Sequence, residues 1–302
     1  MKSESASFYR YFPVSGRDKK WGLFANTVGE SRVPPGAPYP PSGHPKGYAF
    51  DWQHGRILHG FALVYISAGR GKFECRPKSS AGISATIEPG CAFLLFPGVW
   101  HRYLADPEFG WHEHWVGFDG EIARHWLKHK FLLPRQPVQR IKTEDSMHTG
   151  FTTMLQAVRS SRPALQQILA GVTADLLGLF YSSQQTQPAA EEQNPKAIEI
   201  AIARILSEFG HELDMKLLAR ELGVSYRWFR SMFARYTGLS PNQYLLETRI
   251  LRARSLLADS DLSMKEIAAQ TGFEDQHYFS RLFRQRLNLT PSAWRSRTRS
   301  RQ

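Results

Sequence analysis

Cysteine is scarce in this chain of 302 residues, which has only Cys75 and Cys91. Two thiols cannot build a disulfide scaffold or a four-cysteine zinc site, so the fold must rest on apolar cores, with both thiols reduced. Long apolar runs are lacking too. No stretch approaches the ~18 residues of a membrane span, and the opening MKSESASFYRYF has no apolar segment of the secretory type. A cytoplasmic protein with no membrane partner is expected. The third shortage is negative charge: 27 Asp and Glu stand against 39 Lys and Arg, a formal charge of +12. Such an excess points towards a polyanionic partner, although anionic membranes attract the same charge. With 42% hydrophobic and 22% charged residues, the chain has the composition of a globular protein, and its length suits two domains.

What is present comes in blocks. Residues 34–47, PPGAPYPPSGHPKG, hold too much Pro and Gly for a helix or a central strand, and form an arm or rim loop. From Phe61 to Phe118, short apolar runs (FALVYISAG, GISATIEPG, AFLLFPG, HEHWVGF) alternate with Gly and Pro turns, the pattern of a small β-sandwich or barrel. The first domain is placed at 1–140. EIARHWLKHKFLL then looks helical. Residues 141–183 form a helical region whose stripe of Phe151, Met154, Leu155, Val158, Ile168, Leu169, Val172, Leu176 and Leu179 suits packing on its own domain or on a second copy. A homodimer is the expectation drawn from that stripe. The polar stretch at 184–195 is a linker, and 196–302 is the second domain.

The second domain says nearly the same thing twice. GVSYRWFRSMFARYTGLSP and GFEDQHYFSRLFRQRLNLTP align Gly223 with Gly272, Phe229 with Phe279, Phe233 with Phe283 and Pro241 with Pro291. In each copy a short helix ends at a glycine that can take positive φ, and a second helix follows, capped by Ser225 or Asp275. This is the helix-turn-helix plan, whose second helix can enter a DNA major groove. Phe229, Met232, Phe233 and Tyr236 are assigned to the core side of the first such helix, and Tyr278, Phe279, Leu282 and Phe283 to that of the second. Arg227, Trp228, Arg230, Ser231 and Arg235 remain on the first for DNA. Gln276, His277, Ser280, Arg281 and Arg284 remain on the second. One such polar face is most often merely solvated, but two aligned copies, both bearing Arg, favour nucleic acid. Between them PNQYLLETRILRARSLLADSD predicts a helix of about 17 residues, a rod of about 25 Å with Tyr244, Leu245, Ile250, Leu251, Ala253, Leu256 and Leu257 as its apolar positions. It can hold two reading heads at successive major grooves of double-stranded DNA, about 34 Å apart. By count, 196–302 holds about 18 Lys and Arg against about 11 Asp and Glu, so charge and motif agree.

LSPNQYLLETRILRARSLL, IAAQTGFEDQHYFSRLFR and TPSAWR together resemble the DNA-binding domain of the AraC/XylS family of bacterial transcription regulators. The resemblance implies that Arg227, Arg230 and Ser231 sit in one groove and Gln276, His277, Ser280 and Arg281 in the next, with RNA polymerase a further candidate partner. Asn288 stands where the family commonly has Gly, and Asn tolerates the same left-handed backbone. EPGCAFLLFPGVWHRY and GWHEHWVGFDG resemble the cupin-like effector domain of such regulators. The expected fold is therefore α+β and multidomain. It has an N-terminal cupin-like β-barrel with flanking helices and a C-terminal all-α domain of two helix-turn-helix subdomains joined by a linker helix. The resemblance further implies a small effector, often a carbohydrate, in the barrel, with Trp100, His101, Trp111, His112 and His114 as candidate lining residues. His101 matches a cupin metal ligand, and His112 and His114 share one strand face. However, the upstream strand has no His-x-His with a following Glu, and no metal, cofactor or catalytic residue is assigned. The reading is an effector-controlled transcription regulator at work on the bacterial nucleoid. A metal-dependent cupin enzyme with a DNA-binding tail, a regulator whose front domain only dimerises, and an architectural DNA binder stay open.

Overall fold

A computed structural model describes residues 7–39, 52–78, 81–160, 162–185 and 195–299. Much of the proline-rich arm, most of the expected linker and the last three residues of the basic tail lie outside them. The chain divides into two compact units, one before residue 188 and one from there on.

The first unit is built on two antiparallel sheets. Six strands pair in the order β1 (Phe8–Tyr11), β2 (Phe24–Val33), β9 (Trp111–Asp119), β4 (Phe61–Gly69), β7 (Cys91–Leu95) and β10 (Val138–Arg140). Four pair in the order β3 (Arg56–Ile57), β8 (Trp100–Ala105), β5 (Gly71–Arg76) and β6 (Ile83–Ile87). The β pattern expected from Phe61 onward is present, but the barrel also recruits β1 and β2 from well before it. The short helix α1 (Gly16–Lys20) joins those two strands, and α2 (Glu121–Lys128) follows β9. α2 is shorter than the helical run expected there, and Lys130 just beyond it has φ +63°.

FALVYISAG in β4 lacks polar alternation because both of its faces are covered. Ala62, Val64 and Ile66 join Phe73, Cys75, Cys91, Phe93 and Tyr103 in the barrel core. Phe61, Leu63 and Tyr65 point the other way, into a second core under α3 (Glu144–Arg159) and α4 (Leu165–Gln184). The helical stripe that suggested a dimer is consumed there. Phe151, Met154, Leu155, Val158, Leu169 and Leu176 are all buried against the chain's own sheet. Gly150 allows the two helices to approach, since a Cβ there would stand 2.6 Å from the Leu176 side chain. Both cysteines are buried and free, and burial raises the Cys75 thiol to about 11.

The second unit is helical: α5 (Pro195–Glu208), α6 (Met215–Glu221), α7 (Tyr226–Thr237), α8 (Pro241–Asp259), α9 (Met264–Gln270), α10 (Gln276–Leu287) and α11 (Pro291–Arg299). Its caps are local and legible. Ser225 accepts from the Trp228 amide and Asp275 from that of Tyr278, while Ser240–Gln243 and Ser263–Glu266 close capping boxes. Gly223 and Gly272 turn the chain at φ +72° and +77°, and Asn288 ends α10 in the left-handed region at +56°. α8 joins two small cores. Leu245 packs with Phe229 and Phe233 in the first, and Ile250, Ala253 and Leu257 pack with Phe279 and Phe283 in the second.

Candidate functional site

The first candidate surface lies on the second helices of the two repeats, α7 and α10. Arg227, Arg230 and Ser231 on α7, and His277, Arg281 and Arg284 on α10, are exposed, while Arg235, Gln276 and Ser280 are half-buried. Phe229, Met232 and Phe233, and Phe279, Leu282 and Phe283, are buried on the opposite side. Trp228 is half-buried and packs on the first core, so its indole belongs in part to packing. Three side chains depart from the expected faces. Tyr236 is 54% exposed, Tyr278 45% and Leu251 57%. Tyr278 stands at the N-terminal end of α10 with the Arg281 guanidinium 5.6 Å from its ring centroid, which holds that arginine at the exposed end of the helix. Arg249 of α8 fastens the two repeats together. It donates to the carbonyls of Phe209 at 2.8 Å and His211 at 2.9 Å, and its guanidinium lies over Phe273 of the second core.

The second candidate surface is the inside of the barrel. Side chains alternate across a strand, so His101, Tyr103 and Ala105 of β8 face inward, as do Trp111, Glu113 and Trp115 of β9. There Arg56 Nη2 donates to Tyr103 Oη at 2.6 Å, and Arg56 Nε to His101 Nε2 at 3.3 Å. His101 Nδ1 donates to the Val99 carbonyl at 3.0 Å, which leaves Nε2 as the acceptor for the arginine. Tyr39 Oη donates to Glu113 Oε2 at 3.0 Å. Burial dominates the ionisation of this group: it raises the Glu113 carboxyl to about 7 and, with Arg56 beside it, lowers His101 to about 4. The Trp111 indole packs edge-on to Tyr39, with ring centroids 5.4 Å apart. Gly71 makes room for it, since a Cβ there would stand 2.6 Å from the indole ring. Trp111 is buried, and among the described residues its indole N–H has no hydrogen-bond partner.

Comparison with known proteins matches stretches of both units. Residues 35–198 match the family described as the AraC-like ligand binding domain, and residues 218–297 that described as the helix-turn-helix domain. The MmsAB operon regulatory protein of Pseudomonas aeruginosa is 30% identical over 78% of this chain and 75% of its own length. The chain belongs to the AraC family of transcription regulators. The Msm operon regulatory protein of Streptococcus mutans is similar as well, 26% identical over 83% of this chain and 88% of its own length. Among solved structures, the DNA-binding domain of AdpA in complex with a target DNA is 32% identical, covering 35% of this chain and 96% of that one, with a TM-score of 0.34. By the family and the two matched domains, the regulator is a DNA-binding protein with a ligand-binding domain in front.

The structure scatters the five residues expected to line the regulator's barrel. Only His101 and Trp111 face its interior. Trp100 is on the outer face of the four-stranded sheet, with the Arg76 guanidinium 4.4 Å from its ring and its Nε1 donating to the His54 carbonyl at 2.8 Å. His112 and His114 lie on the helix-facing side of β9, where their neighbours are Glu30, Tyr65, His148 and Phe151. The residues missed are Tyr39, Arg56, Tyr103 and Glu113. For Glu113 the signal was present in HEH itself, because two histidines on one face put the residue between them on the other.

Arg281→Ala in the regulator is expected to weaken binding to its cognate site by about 1–3 kcal/mol and to relax discrimination at one base pair, as removal of a bidentate guanine contact does. Titration against cognate and scrambled duplexes checks this. An equal loss on both would assign Arg281 to a phosphate.

Proposed function

We propose that the regulator is switched by a small hydroxylated effector of the carbohydrate class, held inside the barrel by Arg56, His101, Tyr103, Trp111, Glu113 and Tyr39. The single observation that carries this reading is the buried Trp111 N–H, without a partner among the described residues, beside a hydrogen-bonded polar array in an otherwise apolar interior. A buried donor left unpaired costs about 1–3 kcal/mol, and a ligand oxygen placed against it would recover that cost. The rings of Trp111, Tyr39 and Tyr103 offer apolar faces to sugar C–H groups, while Arg56 and the Tyr39–Glu113 pair offer donors and an acceptor to hydroxyls.

Occupancy then alters DNA binding by linkage: an effector that favours the DNA-competent conformation tightens DNA by the factor by which DNA tightens the effector. In this reading α7 and α10 enter successive major grooves, and the regulator works in the cytoplasm as a binding protein and not as an enzyme. RNA polymerase is a candidate partner for activation. Dimerisation through the α3 and α4 stripe is not part of the proposal, because that stripe is already buried.

The test is a thermal-shift screen of the full chain against mono- and disaccharides, repeated on Trp111→Phe, which keeps an aromatic ring and removes the N–H. One sugar is expected to stabilise saturably as RT ln(1 + [L]/Kd), about 2.7 kcal/mol at a hundred times Kd, and to bind the variant more weakly. Silence across the panel, or equal stabilisation of the variant, would remove the proposal.

A further inference from the structure

On the helix-facing side of the large sheet, outside the barrel interior, three side chains converge. Glu30 of β2 is directly paired with His114 of β9, and His112 lies two residues along on the same face. One ligating atom from each of the three lies within 4.8 Å of the others. Glu30 Oε2 is 3.8 Å from His112 Nε2 and 3.9 Å from His114 Nδ1.

The hydrogen bonding around His114 makes this more than proximity. Its side chain is 2% exposed, and its Nδ1 is buried with no hydrogen-bond partner among the described residues. Its other nitrogen, Nε2, is 3.0 Å from Ser67 Oγ, and that hydroxyl reaches the His112 carbonyl at 3.4 Å. When the Ser67 proton points at the carbonyl, Ser67 accepts from Nε2–H, and Nδ1 presents a lone pair to the carboxylate. Two acceptors then face one another across 3.9 Å, too far for a shared proton and well placed for a cation between them. Glu30 is oriented from its other side: Arg159 of α3 binds Oε1 at 2.7 Å, which leaves Oε2 to the histidines.

We infer that Glu30, His112 and His114 form a site for Zn²⁺ or a similar divalent transition-metal ion. Ser67 and Arg159 act as its positioning residues. Tetrahedral bonds of about 2.0–2.1 Å set ligand atoms about 3.4 Å apart, so each carboxylate–imidazole pair needs a closing of about 0.5 Å and the two imidazoles, within 4.8 Å of one another, at most about 1.4 Å. Two neutral imidazoles and one carboxylate suit zinc, cobalt or nickel, and not calcium or magnesium, which take oxygen donors. The guanidinium of Arg159, and Arg32, which is paired across the strands with His112, oppose a cation, which again selects an ion that bonds strongly to imidazole. His148 of α3, its ring centroid 5.7 Å from that of His114, is a candidate for the fourth position, with water the alternative. An ion held there would tie α3 to the sheet. His101, which matches a cupin metal ligand in sequence, is turned into the barrel by the strand alternation and stays apart from these two histidines; the carboxylate comes instead from a strand far earlier in the chain.

The test titrates Co²⁺, with Zn²⁺ as competitor, into chelator-treated, untagged full-length protein, read by visible absorption and melting temperature. One equivalent is expected, with a low-coordination Co²⁺ spectrum, displacement by Zn²⁺ and a raised melting temperature. His112→Gln and Glu30→Gln are expected to weaken binding at least tenfold. Glu30→Gln keeps an oxygen for Arg159 and so guards against simple misfolding. His129→Gln, which removes one of the paired imidazoles of α2 and the turn after it, is expected to leave binding intact. Absence of stoichiometric binding would overturn the inference, as would binding that survives both triad variants or disappears with His129→Gln.

Discussion

Phe283→Ala is expected to unfold the second helix-turn-helix and leave the first one standing. Phe283 is 0% exposed, its ring centroid lies 5.7 Å from that of Phe279, and the Trp294 indole meets it edge-on at 6.2 Å. Removing a buried phenyl ring costs about 3–5 kcal/mol through lost transfer free energy and the cavity left behind. The loss falls on a core of nine buried side chains, Ile250, Ala253, Leu257, Ile267, Ala268, Phe273, Phe279, Leu282 and Phe283. So small a core has little stability in reserve. The first core is built on Phe229 and Phe233 and shares none of these residues, so the two can open separately. Hydrogen exchange is the measurement: amides of 264–287 should lose protection while those of 215–237 keep it. Full protection of 264–287 in the variant would show that Phe283 is not where the second repeat keeps its stability.

The repeats were legible because everything that makes them is local. A glycine stops one helix, Ser225 or Asp275 starts the next, and aromatics at three and four spacing select the buried side. Each of these signals acts within a dozen residues, and the observed dihedrals and caps follow them. Two of the errors in face assignment, Tyr236 and Tyr278, are amphipathic side chains, and the third, Leu251, is an exposed aliphatic one. Tyr236, Tyr278 and Leu251 continue an apolar spacing, yet nothing in the sequence tells where the neighbouring helix ends and water begins.

The front half was less legible, because its site is assembled from distant segments. Arg56 stands in a strand of two residues, too short to show a period, and Tyr39 belongs to a proline-rich stretch that has none. Their meeting with His101, Tyr103 and Glu113 is set by strand order, where β3 pairs with β8 and β9 lies between β2 and β4. The histidines of HEH are candidates for the barrel lining in sequence, and the alternation that turns them away from the barrel turns Glu113 into it. The stripe from Phe151 to Leu179 leaves two destinations open in sequence. Residue spacing says that a face is apolar but not what covers it, and here the cover is the chain's own sheet.

The association constant of the regulator for its operator is expected to fall about a thousandfold or more between 50 and 200 mM salt, as it does for a protein that makes about six phosphate contacts. The number of Lys and Arg in the second unit overstates what DNA can use. Arg204 is held by Glu208 and Glu221, Arg286 lies 3.3 Å from Glu247, and Arg299 lies 2.7 Å from Asp261, so their charge is already matched. Arg249 spends its donors on backbone carbonyls. The exposed arginines of the two second helices, Arg227 and Arg230 with Arg281 and Arg284, remain, with Arg235 behind them. Phosphate contacts from four of these five, Arg281 being expected on a base, and from neighbouring basic side chains release condensed counterions, giving a slope of about −5 in log K against log salt. Titration of a labelled operator at four salt concentrations measures that slope, and an unrelated duplex run beside it separates two origins. A regulator that reads bases keeps a preference for its operator at every salt concentration, because base-edge hydrogen bonds release few ions. Equal affinity for both duplexes would mean an architectural binder, and a slope shallower than about −2 would mean that the arginines of α7 and α10 do not meet the phosphate backbone.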